Sequence, residues 1–412
     1  MAISPLTRFC AYGFLKNQRY FEPFFFVALM AKGLNFFEIG LLIALRELTV
    51  NLIEIPSGAW ADAYGRRRSM LLSFAAYITS FVIFGAASDK LLFSLAMVAY
   101  GFGDAFRTGT HKAMIFEWLR SEGREAERSE IYGYTRSWSK RGSAVSGLIA
   151  AALVFAADDL TWVFWAAIPP YVLNSLNLLG YPDLVDGAVE PGERGGVWGK
   201  TRETVNQAFA AGRLRTPLLE SMGFEGLFQA VKDYLQPLLM ALAMTLVVTS
   251  ALSEVQRTAV LIGPIYALLH LLSSAASRRA HRLSEAAGGD APAARWLWLI
   301  QGGAFVAICV GALTESWTAL VLGFLVVHVA QNLWRPLLVS RLDAQRGDLS
   351  AATLLSVESQ SRRLATMVLA PLLGAAVDLL RDKGEQFQLL PLGLSGVALC
   401  LVFALWAVRR GD

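Results

Sequence analysis

Long apolar runs separated by short polar connections organise this 412-residue chain. A helix needs about 20 apolar residues to cross the hydrocarbon core of a bilayer. Runs of that kind lie at residues 15–32, 36–60, 69–87, 91–119, 138–157 and 160–181, then at 217–249, 258–277, 296–313, 317–340, 351–380 and 389–408. Between the sixth and seventh, residues 182–216 are rich in glycine and charge and hold no run of spanning length. The pattern predicts an all-α polytopic membrane protein with 12 transmembrane helices in two pseudo-symmetric six-helix bundles. These are residues 1–181 and 217–412, with a cytoplasmic linker at 182–216.

Composition agrees: 55% of residues are hydrophobic and 17% charged, against about 25% charged in soluble domains. The net charge of +4 would suggest nucleic acid in a soluble protein, but its placement gives another meaning. Most of the 37 lysines and arginines fall at the N-terminus, in the even-numbered connections or at the C-terminus. The odd-numbered connections hold only Lys32, Lys90, Arg257, Arg381 and Lys383. Basic residues near span ends stay on the cytoplasmic side, so both termini and the linker are expected there, in an inner or plasma membrane, with no nucleic-acid partner. The first 18 residues lack the basic start, apolar run and small-residue cleavage site of a secretory leader, so no removable segment is expected. Cys10, Cys309 and Cys400 have no metal-ligand spacing and read as small buried apolar residues.

A polar stretch, residues 56–68, separates the second and third spans: Pro56-Ser57-Gly58-Ala59-Trp60-Ala61-Asp62-Ala63-Tyr64-Gly65-Arg66-Arg67-Arg68. Its Gly58-x-x-x-Asp62-x-x-Gly65-Arg66-Arg67 pattern, with six spans, a linker and six more, resembles the major facilitator superfamily (MFS). Ala63 stands where that family commonly has a basic residue. The resemblance implies two six-helix bundles rocking about a central cavity by alternating access. It also implies a cytoplasmic latch of Gly58, Asp62, Gly65, Arg66 and Arg67, with Glu117 as an acid that Arg66 or Arg67 would meet. Two further signatures depart: Met97 replaces the arginine before Gly101-x-Gly103-x-Ala105, and residues 142–147 lack the glycine-proline motif of drug/proton antiporters.

Ionisable residues inside a span cost about 2.5 to 3.5 kcal/mol each by insertion scales, so each needs a partner or a function. In the fourth span Asp104, Arg107 and His111 are spaced at three and four, which places them on one face of a continuous helix. Asp104 and Arg107 read either as a neutralised pair or as an acid beside an anion-binding fork, and His111 as a proton relay or a hydrogen-bonded core residue. The second span carries Arg46, Glu47, Asn51 and Glu54. The seventh carries Glu225, Lys232, Asp233, Tyr234, Gln236 and Pro237, where Pro237 is expected to kink the helix. Lys232 and Asp233 are adjacent and expected not to pair. The tenth carries Asn332 and Arg335, the latter resembling a second cationic clamp.

Arg107, His111, Lys232, Tyr234, Gln236, Asn332 and Arg335 are therefore substrate-binding candidates, and Glu47, Glu54, Asp104 and Asp233 proton-coupling candidates. Met240 and Met244 sit one turn apart, as in a copper-importing branch of the superfamily. That branch also has His-x-x-x-Met where this chain reads His270-Leu271-Leu272-Ser273-Ser274, so packing is the plainer reading and no metal is expected. No nucleotide loop or nucleophile-base pair appears, so neither an enzyme nor a cofactor is expected. The leading expectation is a monomeric secondary active transporter of a small anionic or zwitterionic organic solute, coupled to protons. The alternatives are an exporter of amphipathic drug-like or lipid-like compounds, a copper importer, and a non-transporting membrane sensor.

Overall fold

The computed structural model describes residues 4–182, 185, 212–345 and 351–410, so most of the expected linker at 182–216 lies outside the described residues. The described residues are helical throughout their length apart from short joints, with no strand among them. The helices are α1 Pro5–Lys16, α2 Phe25–Ala31, α3 Phe36–Tyr64, α4 Arg66–Ala86, α5 Lys90–Arg107, α6 Thr110–Ser121, α7 Arg128–Ala157 and α8 Trp162–Leu179. They continue as α9 Gly212–Val231, α10 Leu235–Thr245, α11 Glu254–Ala287, α12 Asp290–Leu313, α13 Trp317–Gln345, α14 Ala351–Asp378 and α15 Leu390–Arg410. Among the described residues six stretches are long and apolar enough to cross a membrane: α4, Glu125–Ala157, α11, α12, α13 and Phe387–Leu405. Leucines such as Leu176, Leu299, Leu322 and Leu405 stand exposed on these and neighbouring helices, as lipid-facing side chains do.

Contacts divide the chain into two units: the described residues of Met1–Ala28 with Leu45–Trp198, and those of Leu29–Ala44 with Gly199–Asp412. In the first unit α4 packs on α5 and α8, and α1 on α7 and α8. In the second, α12 packs on α13 and α15, α9 on α14, and α11 on α13. The first turn of α3 belongs to the second unit. There Asn35 and Glu38 cap each other's backbone N–H at 2.9 and 3.0 Å, and Asp378 accepts from the N–H groups of Phe36 and Phe37 at 3.2 and 2.7 Å. These carboxylates and the Asn35 amide satisfy donors that the start of any helix leaves without intrahelical partners.

Three sequence expectations change. The polar stretch 56–68 is not a turn between spans but mostly helix: α3 runs through Pro56 to Tyr64, and the helices are parted at Gly65 alone, whose φ of 100° a side chain would strain. The first span is not one helix at 15–32 but α1 and α2, parted by residues 17–21 and a 3-10 turn Glu22–Phe24 that holds Pro23. The seventh span breaks at the 3-10 turn Lys232–Tyr234 rather than at Pro237 itself. The ring of a proline clashes with the carbonyl four residues earlier, which here belongs to Asp233.

Candidate functional site

The first unit contains a cavity of about 490 Å³ walled by α1, the α5–α6 joint and α7. α1 supplies Tyr12, Lys16 and Asn17, the joint supplies Arg107, Thr108, Gly109, His111 and Lys112, and α7 supplies Tyr132, Arg136, Ser139 and Lys140. Five lysine and arginine side chains line it and no lining residue is an acid. A cleft lined by one sign of charge between low-dielectric walls concentrates counter-ions of the other sign.

The joint that shapes this wall is a helix break the apolar pattern did not reveal. The fourth span was expected to be one helix over 91–119. Instead Thr108 leaves the helix and Gly109 takes φ 78°, in the left-handed region that glycine alone adopts without strain. Asp104 and Arg107 therefore share α5 while His111 belongs to α6, and the expected single face of three residues does not exist. Arg107 and His111 still meet at the cavity because the break folds both into its wall. α6 also starts without a side-chain cap, so the positive end of its dipole adds to the field of the cations.

Asp104 and Arg107 form a pair that is shared rather than sealed. Arg107 donates from Nη2 to Asp104 Oδ1 at 2.9 Å and from Nε to the Tyr77 hydroxyl at 3.0 Å. The Tyr77 hydroxyl in turn donates to the same Asp104 oxygen. Both readings of the pair thus coexist: the carboxylate neutralises the guanidinium from one side while Arg107 contributes to the cavity lining on another. His111 stacks on Tyr12, with ring centroids 3.5 Å apart and planes 12° apart, and its Nε2 lies 3.0 Å from the Tyr181 hydroxyl.

The other candidates lie elsewhere. In the first unit Glu47 pairs with Arg46, its neighbour on α3. Glu54 sits half-buried on the same helix, and Ser57 donates to its backbone carbonyl and to that of Ala105. Among the motif residues, Gly58 and Asp62 are exposed. Arg66 Nη1 lies 3.5 Å from Glu117 Oε2, and Arg67 donates to the Tyr181 carbonyl at 3.1 Å.

In the second unit Lys232 and Asp233 do pair, at 2.8 Å, against expectation. The rule that sequence neighbours diverge presumes α-helical geometry, and both residues sit in the 3-10 turn. Gln236 donates to Asp233 at 3.4 Å. Tyr234 is buried and stacks on Phe36, centroids 5.3 Å apart. Asn332 donates to Ser273 at 3.0 Å.

Arg335 is not an open clamp. Its Nη1 donates to Glu225 at 3.1 Å and to Glu358 at 2.8 Å, with Arg362 and Ser221 completing the cluster around two buried carboxylates. Met240 and Met244 lie one turn apart on α10, both half-buried. Among the described residues no group of three or more His, Cys, Asp or Glu side chains gathers as a metal site would require.

Sequence reasoning missed Lys16, Arg136 and Lys140. All three read in the sequence as basic residues at span ends that set topology: Lys16 at the start of the first span, and Arg136 and Lys140 around the start of the fifth, whereas α7 already begins at Arg128. The available signal was spacing: Arg136 and Lys140 repeat at four, as do Tyr12 and Lys16, so each pair shares a helix face.

Comparison with known proteins bears on what this unit serves. The family model described as Major Facilitator Superfamily matches residues 7–358. The chain is 31% identical over 95 residues to an uncharacterized MFS-type transporter, YxaM, of Bacillus subtilis (strain 168), a match spanning 23% of this chain and 24% of that protein's length. Its fold is similar to the crystal structure of the nucleoside transporter NupG, with a TM-score of 0.78 at 11% identity, covering 100% of both chains. It is also similar to a bacterial homolog of the human lysosomal transporter Spinster in an inward-facing, unoccupied conformation, with a TM-score of 0.69 at 16% identity, covering 98% of this chain and 96% of that one. At such identities the likeness is one of fold.

Proposed function

The chain belongs to the major facilitator superfamily, a multi-pass membrane transporter, and we propose that its solute is a small organic anion carried by alternating access and coupled to protons. One observation carries this reading: the cavity of the first unit is lined by Lys16, Arg107, Lys112, Arg136 and Lys140 and by no acid. A zwitterion would need an acceptor for its cationic end, and the lining offers none that is charged. At about 490 Å³ the cavity falls within the range of about 300 to 1,000 Å³ typical of small-molecule sites.

Proton coupling follows from the sharing of Arg107. Its guanidinium presents five N–H donors in a planar fork, and an anion that takes the cavity edge of that fork competes with Asp104 for its positive charge. Asp104 is then the acid left to accept a proton, so solute and proton travel together. We place the protein in the inner or plasma membrane as a monomer with both termini cytoplasmic, in line with the distribution of its basic residues. The Arg66–Glu117 contact of 3.5 Å belongs to the cytoplasmic latch in this reading.

The amphipath-exporter alternative calls for an apolar cavity. The recess among Phe21, Phe25, Phe81, Phe84 and Phe164, which Arg46 also lines, holds about 30 Å³, far below the roughly 300 Å³ at which small-molecule sites begin, so it does not support that alternative. The test is uptake by proteoliposomes under an imposed pH gradient. Uptake of an organic anion that rises with an inward proton gradient and collapses in Arg107→Ala is expected. Uptake indifferent to the gradient removes the coupling, and uptake of neutral amphipaths with no preference for anions removes the solute class.

A further inference from the structure

We propose that the solute bears two or more negative charges on one end, as a phosphate monoester does, and that Lys16, Arg136 and Lys140 grip that end together with Arg107. This rests on the organic-anion reading of the same cavity and narrows it. Charge matching comes first. Asp104 already balances Arg107, and Lys112 lies 5.3 and 5.4 Å from the ring centroids of Phe116 and Tyr132, within cation–π range. Among the described residues no carboxylate pairs with Lys16, Arg136 or Lys140; Arg136 and Lys140 are exposed and Lys16 half-buried, so each is open to water while the cavity holds no solute. A solute that fills the cavity displaces that water, and a desolvated cation needs a counter-charge. A monocarboxylate supplies one charge for three cations. A dianionic group supplies two and also competes for the fork of Arg107.

Geometry favours a phosphate over a second carboxylate. The donors arrive from α1, the α5–α6 joint and α7, and therefore from several directions. A phosphate monoester offers three strongly accepting oxygens arranged around a tetrahedral centre, whereas a carboxylate offers two in one plane. Ser139 and Asn17 also line this part of the wall and add neutral polar groups. The cavity far exceeds an inorganic phosphate, which leaves room for an organic remainder beside Tyr12 and Tyr132. The same headgroup chemistry occurs in soluble phosphate esters and in single-chain phospholipids, so both belong in the test.

Purified full-length protein in detergent is titrated calorimetrically, with parallel thermal-shift measurements, against glycerol 3-phosphate, lysophosphatidic acid, succinate and propionate. At least one phosphate monoester is expected to bind 10-fold or more tightly than propionate. Lys16→Gln, Arg136→Gln and Lys140→Gln should each weaken it by about 10-fold, since hydrogen bonds to charged groups carry that order of free energy. Lys140→Arg, which keeps the charge, should retain most of the affinity and serves as the control for folding. Preference for glycerol 3-phosphate assigns a soluble ester, and preference for lysophosphatidic acid assigns a lipid headgroup; either supports the proposal. Propionate binding as tightly as the phosphates, or succinate binding more tightly, overturns it while leaving the anion reading standing. Indifference to every anion overturns both.

Discussion

Replacing Asp104 with Asn should tighten anion binding rather than weaken it. The carboxylate sits 2.9 Å from Arg107 Nη2 and takes a second bond from Tyr77. An asparagine oxygen still accepts from both groups, so Arg107 keeps its position while its counter-charge is lost. An anion on the opposite edge of the guanidinium lies roughly 7 Å from that carboxylate, and at an effective dielectric of about 20 the removed repulsion is worth about 2 kcal/mol. That corresponds to roughly 30-fold in affinity. Folding stability should fall by about 1 kcal/mol, because two charge-assisted bonds become neutral ones. If Asp104 also carries the coupled proton, wild-type binding strengthens as pH falls, and the variant shows the tight, low-pH value at every pH. Calorimetric titration between pH 5 and 8, for both proteins, with an anion such as a sulfate monoester whose own charge is constant over that range, reads each effect. Weaker binding in Asp104→Asn, with Tyr77→Phe as a packing control, would refute the shared-arginine argument, and unchanged pH dependence would refute the coupling assignment.

Three further outcomes follow from the geometry. Glu220→Ala leaves Arg341, about 11% exposed and its partner across α9 and α13, as a buried unpaired charge, which should cost about 3 to 5 kcal/mol and lower the unfolding midpoint in a thermal scan. A Cβ at Gly142 would lie 2.5 Å from the Phe14 carbonyl, so Gly142→Leu should force α1 from α7, destabilise by about 1 to 3 kcal/mol and abolish anion binding, since those helices wall the cavity. Glu117→Gln removes an Arg66 contact that is worth at most about 1 kcal/mol at this exposure. The thermal midpoint should hardly move while the uptake rate changes, and an unchanged rate would remove the latch role.

The sequence by itself determined the solvent, the element type and the family. Runs of about 20 apolar residues admit few structures but helices in lipid, and the Gly58 to Arg67 pattern located the joint between α3 and α4. It also named Arg107 and His111, because a charge inside an apolar run is conspicuous on one strand of text. It misjudged what depends on partners distant in the chain. Arg335 looked free until α9 and α14 brought Glu225 and Glu358 to it, and Lys232 and Asp233 looked divergent until Pro237 turned their segment into a 3-10 helix. Lys16, Arg136 and Lys140 looked like topological markers because a basic residue at a span end reads the same whether it faces water or a cavity. Periodicity reports which residues share a face of one helix. Only the packing of α1 and α7 beside the break at Gly109 decided that these cations enclose one space.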